Sequence, residues 1–252
     1  MRSNGRRAPR QTELDLRFDR NGQHRGGARR GAGRPAKGPR SSEPHQTRAE
    51  LDPRHPQHVT MRVDADVGWL RRMDAYRAIR AALARVVSRG SFRIVHISVQ
   101  GNHIHALCEA DDRMALARGL QAFQISAAKA INRVVSKRRR TRRRGRVFTD
   151  RYHVESIDSV RQVRHALAYV LNNWRRHRVD GEGLFGDRVD PYASGALFEG
   201  WRAAIETWPW PDGYEPPAVC RPQTWLLAQG WKRAGTISMH GVPGPRARNQ
   251  RV

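Results

Sequence analysis

The sequence predicts an α+β fold, in which a four-stranded antiparallel sheet carries two helices on one face and is followed by one further helix. Two kinds of period alternate along the chain. Segments with alternating or β-branched residues, typical of strands, occupy 58–63, 92–99, 103–109 and 147–157. Segments with apolar residues about 3.6 positions apart, typical of helices, occupy 67–88, 113–135 and 160–177. A turn, Gln100-Gly101-Asn102, joins the second and third strands into a hairpin.

The three helical segments have recognisable ends. Arg89-Gly90 ends the first, Asp111-Asp112 provides a cap for the second, and Asp158-Ser159 provides a cap for the third. The resulting order is β-α-β-β-α-β with a helix after it. This order is that of the split βαβ, ferredoxin-like arrangement.

The chain is strongly basic, and the charge is concentrated in two stretches. Among 252 residues, 48 Lys and Arg stand against 23 Asp and Glu, a formal net charge of +25. Residues 1–57 contain 14 Lys and Arg and 6 Asp and Glu, and residues 137–146 add eight positive charges and no negative one. Neither stretch shows a helical or strand period. Charge of this sign and size predicts a polyanion as partner.

Composition divides the chain into three parts. Residues 1–56 are rich in Gly, Arg and Pro and are predicted to be a disordered basic arm. Residues 57–180 hold every element named above and are predicted to be the functional domain. Residues 181–252 are predicted to be a C-terminal extension with a Pro-rich connector, in which 198–208 and 225–233 can form helices. The role of this extension stays open.

Several classes of protein are excluded. No run of 18 apolar residues occurs, so a membrane span is not expected, and the Arg-rich N-terminus lacks the apolar stretch of a secretory signal. Cys108 and Cys220 are the only cysteines, which excludes a disulfide scaffold and a Cys-based zinc site. We therefore expect a cytoplasmic protein associated with the nucleoid and not with a membrane.

The two basic stretches are predicted to contact DNA phosphates. Arg34 lies in Gly33-Arg34-Pro35, a partial match to the AT-hook that binds a narrow minor groove. Eight cations packed together repel one another unless an anion neutralises them, so 137–146 favours phosphate contact. A solvated segment that only keeps the protein soluble is the alternative in both cases. The predicted DNA-binding residues are Arg34, Lys137, Arg138, Arg139, Arg140, Arg142, Arg143, Arg144, Arg146 and Arg151.

Two histidines on the third strand can bind one metal ion. His103 and His105 are two residues apart, so a strand places them on one face with Cα atoms roughly 6.6 Å apart. Ile104 between them points to the opposite face, under the helices. A pair of ordinary strand histidines is the alternative, and the spacing by itself does not decide between them.

The third helix places a tyrosine away from its apolar stripe. The stripe consists of Val163, Leu167, Val170 and Trp174. At about 100° per residue, Tyr169 lies roughly 120° from the centre of that stripe, on the polar side with Asn173 one turn further on. A phenol on a rigid polar face beside an amide is suited to be a positioned nucleophile. An exposed surface tyrosine is the alternative, and Tyr152, beside the basic stretch, is the rival phenol.

Three segments together resemble the single-tyrosine HUH transposases of the IS200/IS605-like superfamily, and within it the REP-associated tyrosine transposases. They are VHISVQGNHIH at 95–105, GRVF at 145–148 and YVLNN at 169–173. The resemblance covers about residues 55–180. It implies a ferredoxin-like catalytic domain that nicks single-stranded DNA with hairpins and transfers the strand. It also implies that this domain needs a divalent metal ion for the reaction.

The resemblance also implies a role for each matching residue. His103 and His105 correspond to the HUH pair that binds Mg²⁺ or Mn²⁺, and Tyr169 to the nucleophile that forms a 5′-phosphotyrosine. Asn173 stands where insertion-sequence relatives carry a metal-binding Gln. Gly101 replaces a Pro that is frequent before Asn-His.

Other functions remain open. A catalytically degenerate transposase, or a non-catalytic nucleic-acid-binding protein, would have the same charge. RNA-recognition domains have the same β-α-β-β-α-β order, but the third strand here lacks the aromatic residues on which such domains stack bases. A structural chromosome-binding protein would use the basic tails and leave Tyr169 unexplained. The DNA target, and whether the protein is a monomer or a homodimer, are not predicted.

Overall fold

The computed structural model describes residues 48–87, 90–176, 188–203 and 213–243. Four strands form one antiparallel sheet: β1 Gln57–Arg62, β2 Phe92–Val99, β3 His103–Ala110 and β4 His153–Ser156. Their order across the sheet is β2-β3-β1-β4. With two crossing helices, this order confirms the predicted ferredoxin-like α+β fold.

The helices are α1 Met73–Ala84, α2 Arg113–Arg139, α3 Val160–Arg176 and the short α4 Trp225–Ala228. Three 3-10 turns lie at Ala65–Val67, Ser194–Leu197 and Gly230–Ala234.

Two of the predicted caps are present. The Asp112 carboxylate accepts a hydrogen bond from the backbone of Ala115 at 2.6 Å. The Ser159 hydroxyl accepts one from the backbone of Gln162 at 3.3 Å, and the Gln162 side chain accepts one from the backbone of Asp158 at 2.9 Å. These bonds satisfy donors that a helix start leaves without intrahelical partners.

The sheet separates two apolar clusters. Alternate residues of β3, beginning with Ile104, face the first cluster, which α1 and α2 cover. Leu107 of β3 and Val95 of β2 face the second cluster, together with Leu167 and the rest of the α3 stripe. Because side chains alternate along a strand, His103 and His105 face the same side as Leu107 and lie under α3.

The first helix is shorter than predicted. The pattern predicted a helix over 67–88, but α1 begins at Met73 and ends at Ala84. Gly68 has φ 79°, and Arg72 is extended, so the chain makes a separate loop between Ala65–Val67 and α1. The apolar residues of this loop keep helical spacing because Val67 and Leu70 are also buried in the first cluster.

The fourth strand and the second helix also differ from the prediction. The strand was predicted over 147–157, but only His153–Ser156 pairs with β1 as a strand, while Phe148 makes an isolated bridge to Val63. The second helix continues to Arg139 and ends where Arg140 takes a left-handed φ of 53°. The helix was predicted to end at Val135, so it is four residues longer than predicted and includes the first three residues of the basic stretch. Basic side chains in a last helical turn also stabilise it through the helix dipole.

The C-terminal residues pack against α3. The Arg164 side chain donates to the backbone oxygens of Gly235 and Thr236, and the Arg175 side chain donates to that of Met239 at 2.7 Å. The Asn172 amide donates to the Ser238 carbonyl at 2.9 Å. These bonds hold the last described segment along the outer side of α3.

Two buried acidic residues attach other parts of the C-terminal segment to the sheet. Asp190 makes two 2.8 Å hydrogen bonds with Arg71, which also donates to the backbone of Val99. Glu109 accepts hydrogen bonds from the backbone of Gln223 and Thr224. Buried carboxylates satisfied in this way fix the path of the segment relative to β2 and β3.

The predicted C-terminal helices are confirmed only in part. Residues 225–233 form α4 followed by a 3-10 turn. The prediction of a helix over 198–208 is wrong for 198–203, because Phe198 is extended there; the remaining residues lie outside the described ranges.

The described end of the predicted arm lies against the domain. The Arg48 guanidinium lies 3.9 Å from the ring centroid of Tyr152, and Glu50 pairs with Arg113 at 3.2 Å. Leu51 packs against the first apolar cluster. Residues 1–47, with Arg34, are outside the described residues. Within the described ranges no helix has both the length and the hydropathy needed to cross a bilayer.

Candidate active site

The rings of His103 and His105 converge. They lie nearly perpendicular, with centroids 4.6 Å apart and an interplanar angle of 87°. Their Nε2 atoms are 3.0 Å apart. The His105 side chain is nearly fully buried, while His103 is half-buried at the start of β3. The strand therefore aims the same nitrogen of both rings at one point.

The other nitrogen of each ring has a neighbouring side chain. The Nδ1 atom of His103 is 2.8 Å from Oδ1 of Asn102. An amide oxygen can only accept, so Nδ1 carries the proton and Nε2 presents a lone pair. The Nδ1 atom of His105 is 3.1 Å from the Thr60 hydroxyl and 3.3 Å from Nε2 of His58. When His105 donates from Nδ1, both Nε2 lone pairs face each other, and a cation between them relieves the repulsion.

Tyr169 meets these rings from α3. Its ring contacts that of His105 edge-on, with centroids 5.0 Å apart, and that of His58 at 5.7 Å. The α3 stripe, with Val163, Leu167 and Val170 fully buried, determines which side of the helix faces the sheet. Tyr169 is half-buried beside the stripe. The structure thus brings His103, His105 and Tyr169 of one chain together.

Sequence reasoning missed three residues of this site. His58 and Thr60 lie on β1, where Thr60 is directly opposite His105, and Glu155 lies on β4 opposite His58. His58 stacks on His105 with centroids 5.3 Å apart, and its Nδ1 is 3.9 Å from the Glu155 carboxylate. The i, i+2 spacing of His58 and Thr60 puts them on one face, but the strand register that places them beside His105 is not visible in the sequence.

Burial determines the charge state of His58. Desolvation lowers its pKa, the Glu155 carboxylate acts in the opposite direction, and His153 lowers it further. The net direction is downward, which favours the neutral ring at neutral pH. A neutral His58 can accept a hydrogen bond from His105 Nδ1.

Asn173 lies one helical turn beyond Tyr169, but its setting differs from the prediction. We predicted a polar helix side there, whereas Asn173 is 0% exposed. The C-terminal segment covers this end of α3, which also buries Asn172 and Arg175. Neither amide atom of Asn173 has a hydrogen-bond partner among the described residues. An unsatisfied buried amide costs free energy unless something coordinates it.

The residues fit a divalent metal ion. The Nε2 atoms of His103 and His105, 3.0 Å apart, are close enough to bind one cation together. The orphaned Asn173 amide offers an oxygen ligand of the kind that Mg²⁺ and Mn²⁺ accept. No group of three His, Cys, Asp or Glu residues that could hold a metal occurs in the described part of the chain.

The basic stretch divides into paired and unpaired residues. Arg138 binds the Asp74 carboxylate, and both Arg139 and Arg143 bind Asp66, with distances of 2.9 Å. The Arg143 side chain is only 6% exposed. Lys137, Arg140, Arg142, Arg144 and Arg146 are exposed and make no ion pair within the described ranges.

The remaining predicted residues lie apart from the histidines. Tyr152, the rival phenol, packs against the first apolar cluster, on the opposite side of the sheet from His105. Burial raises the pKa of Tyr152. Arg151, next to it, is half-buried, with its backbone N–H bonded to the Asp150 carboxylate.

Comparison with known proteins shows which family this domain resembles. A family model described as Transposase IS200 like matches residues 55–173. Among solved structures, the chain is similar to a REP-associated tyrosine transposase bound to a REP hairpin, with 15% identity, a TM-score of 0.43 and coverage of 54% of this chain and 74% of that one. It is also similar to a putative transposase from Deinococcus radiodurans R1, with 12% identity, a TM-score of 0.33 and coverage of 56% and 95%.

No curated protein matches the chain significantly. The family match includes His103, His105, Tyr169 and Asn173, and it ends at the last of these. It confirms the resemblance that the sequence predicted. Residues 55–173 of this chain are similar to the IS200-like transposase family.

Proposed function

We propose that this chain is a metal-dependent endonuclease and strand transferase that acts on single-stranded DNA, with Tyr169 as nucleophile. One observation carries the proposal: the Tyr169 ring lies 5.0 Å from that of His105, whose Nε2 is 3.0 Å from Nε2 of His103. A phenol and a pair of imidazole nitrogens that could bind a metal ion together therefore lie side by side. The match of residues 55–173 to the IS200-like transposase family model supports a transposase function.

The proposed reaction is a phosphoryl transfer to the phenol. The Tyr169 oxygen forms a bond to the phosphorus, and the bond from phosphorus to the 3′ oxygen breaks. The phenol loses its proton and the released 3′ hydroxyl gains one, so no other reactant is consumed. The product is a 5′-phosphotyrosine, which conserves the phosphodiester bond energy. A second 3′ hydroxyl can then attack and rejoin the strand without ATP.

His103 and His105, with Asn173, would hold Mg²⁺ or Mn²⁺. When bound, this cation neutralises charge that develops on the phosphate oxygens. The chain prepares the site for it: Asn102 and Thr60 hold the outer nitrogens of the two imidazoles. The rigid α3 holds the phenol beside them, which reduces the entropy cost of reaching the transition state.

The proposed substrate is single-stranded DNA that contains a hairpin. The five cations of the basic stretch that are exposed and unpaired within the described ranges would contact its phosphates without reading sequence. Arg34 and Arg151 stay predictions of DNA contact. Three arginines of the stretch form ion pairs with Asp66 and Asp74 and hold the stretch against the domain: Arg138, Arg139 and Arg143.

The experiment is a nicking assay on hairpin DNA with a single-stranded flank in Mn²⁺. In the proposed reaction the downstream strand stays on the protein, so a 3′ label gives a denaturation-resistant adduct and a 5′ label does not. Tyr169→Phe removes the adduct and lowers nicking by about three orders of magnitude or more, and EDTA abolishes nicking. Tyr152→Phe is the matched control and keeps the adduct. A wild-type chain that binds the DNA but never nicks it would instead be a non-catalytic binding protein.

A further inference from the structure

Trp69 lies exposed on the turn that leads into β3. Its side chain is 53% exposed, in the loop between β1 and α1. The six-membered part of the indole covers Gly101, where a Cβ atom would come within 2.2 Å of Trp69 Cζ3. Gly101 is in the β2–β3 turn, two residues before His103. The indole therefore lies on the turn that presents Asn102 and His103.

The backbone holds this loop rigidly against the turn. The Leu70 N–H donates to the Gly101 carbonyl at 2.8 Å, and the Val63 N–H donates to the Asn102 carbonyl at 2.9 Å. Gly68, at φ 79°, makes the turn that directs the chain toward Gly101. An aromatic ring held in this way loses little conformational entropy when it binds a ligand.

Among the described residues, nothing stacks on the outer side of the Trp69 indole, whereas a cation lies over the ring of Trp225. Trp225 is 49% exposed, but the Arg233 guanidinium lies 4.9 Å from its ring centroid. For Trp69, neither an aromatic ring nor a cation covers the indole within the part of the chain that is described. Burying an exposed indole face against a flat apolar ligand is favourable.

Charge indicates which ligand fits this face. Asp66, three residues before Trp69, binds Arg139 and Arg143, so the basic stretch is fastened to the same loop. A polyanion carrying flat aromatic groups would match both features, and single-stranded nucleic acid is such a molecule. A base pair inside a duplex has no free face to stack on Trp69.

We infer that Trp69 is a stacking platform for one base of the single-stranded DNA, next to the strand-cleavage site. The inference rests on the proposed function, because it takes single-stranded DNA as the partner. The stacked base orients the strand, and the neighbouring exposed cations contact its phosphates. Trp69 contacts the DNA itself and in this way positions the strand.

The test is equilibrium binding in EDTA with a Tyr169→Phe background, which excludes cleavage. The probes are an oligothymidylate of about 20 nucleotides and an abasic oligomer of the same length, which keeps the phosphates and lacks the bases. Trp69→Leu covers Gly101 without an aromatic ring, Trp69→Phe keeps a ring, and Trp225→Leu is the matched control.

We expect Trp69→Leu to weaken oligothymidylate binding about tenfold and to leave binding of the abasic oligomer unchanged. Trp69→Phe and Trp225→Leu should remain close to the parent chain. Equal binding of oligothymidylate by Trp69→Leu and parent overturns the inference, and so does an equal loss on both oligomers. If the parent chain binds neither oligomer, both the inference and the proposed function fail. If the nicking assay gives no adduct, only the proposed function fails.

Photocrosslinking keeps the test valid if Trp69→Leu does not fold. The Tyr169→Phe chain, with Trp69 intact, is irradiated with an oligomer containing 5-bromodeoxyuridine, and the crosslinked peptides are mapped. A crosslink at Trp69 is the expected result. Crosslinks confined to other peptides overturn the inference.

Discussion

The ring of Tyr169 on α3 meets the ring of His105 on β3 edge-on, at an interplanar angle of 82°. This contact depends on apolar packing between the same elements, because Val163 and Leu167 of α3 share a cluster with Leu107 of β3. Leu107 is two residues from His105, on the same face of the strand. Burial of the helix stripe therefore also determines where the phenol lies.

The Thr60 hydroxyl is expected to support metal binding through His105. Thr60→Val removes the 3.1 Å contact with His105 Nδ1 and keeps the shape of a residue suited to a strand. Loss of such an outer contact lowers metal affinity about 10- to 100-fold. Titration calorimetry with Mn²⁺ measures this loss, and the Mn²⁺ concentration needed for half-maximal nicking should rise in parallel.

Thr149→Val is the control, because the Thr149 hydroxyl makes no hydrogen bond among the described residues. An unchanged Mn²⁺ affinity in Thr60→Val would refute the role of Thr60.

The buried amide of Asn173 is expected to lower the free energy of unfolding of the metal-free protein and to contribute to metal binding. Asn173→Leu removes a buried amide that has no hydrogen-bond partner among the described residues. The free energy of unfolding of the metal-free protein should therefore stay the same or rise, by up to about 3 kcal/mol. Mn²⁺ affinity should fall in the same variant. Urea unfolding in EDTA and titration calorimetry measure the two effects.

Asn172→Leu is the comparison, since Asn172 donates to the Ser238 carbonyl at 2.9 Å. It should destabilise the protein by about 1–3 kcal/mol and leave Mn²⁺ affinity unchanged. Equal destabilisation by both substitutions, with unaltered Mn²⁺ affinity, would contradict the assignment of Asn173.

The exposed arginines of the basic stretch should determine the salt dependence of DNA binding. Replacing Arg142, Arg144 and Arg146 together by Ala should reduce the slope of log affinity against log salt by about 2, because each phosphate contact on single strands contributes roughly 0.7. Stability should not change. Arg143→Ala should instead lower Tm, because its buried guanidinium binds Asp66. If the triple variant keeps the wild-type slope, these arginines are only a solvated surface.

His96 should make stability depend on pH. It is buried in β2, 3.1 Å from the Ser194 hydroxyl, and desolvation lowers its pKa from 6.5 to about 4. Between these values the unfolded chain binds a proton that the folded chain does not. The contribution of His96 to the free energy of unfolding is therefore fully present above pH 6.5. It is lost as the pH falls toward 4, and the loss amounts to about 3 kcal/mol.

Urea unfolding of wild type and His96→Gln between pH 7 and pH 4.5 measures this contribution. The difference between the two curves should change across the interval, with the variant less sensitive to acid. Parallel curves would show that His96 is not responsible.

Local patterns predicted much of this fold, because the hairpin and α3 are specified by nearby residues. The turn residues before His103 and the stripe through Leu167 each determine one element without help from distant parts of the chain. The exact ends of α1 and β4 depended on long-range contacts. Leu70 keeps helical spacing in a loop because the core buries it, and β4 is only as long as its pairing with β1.

The same distinction applies to the site. The i, i+2 histidines and the off-stripe Tyr169 could be read from periodicity, and the structure brings them together. His58 and Glu155 could not be found, because their proximity to His105 follows from strand register. The burial of Asn173 could not be found either, because residues 238 and 239 cover that end of α3 and no sequence pattern predicted their position.

Mapping the covalent adduct by mass spectrometry tests the central claim most directly. The wild-type chain reacts with a hairpin oligonucleotide in Mn²⁺, nuclease trims the DNA to a short remnant, and peptides are sequenced for the added nucleotide mass. The account predicts the remnant on Tyr169 and no adduct in the Tyr169→Phe variant. A remnant on Tyr152 or any other residue, or an adduct that persists in Tyr169→Phe, would contradict it.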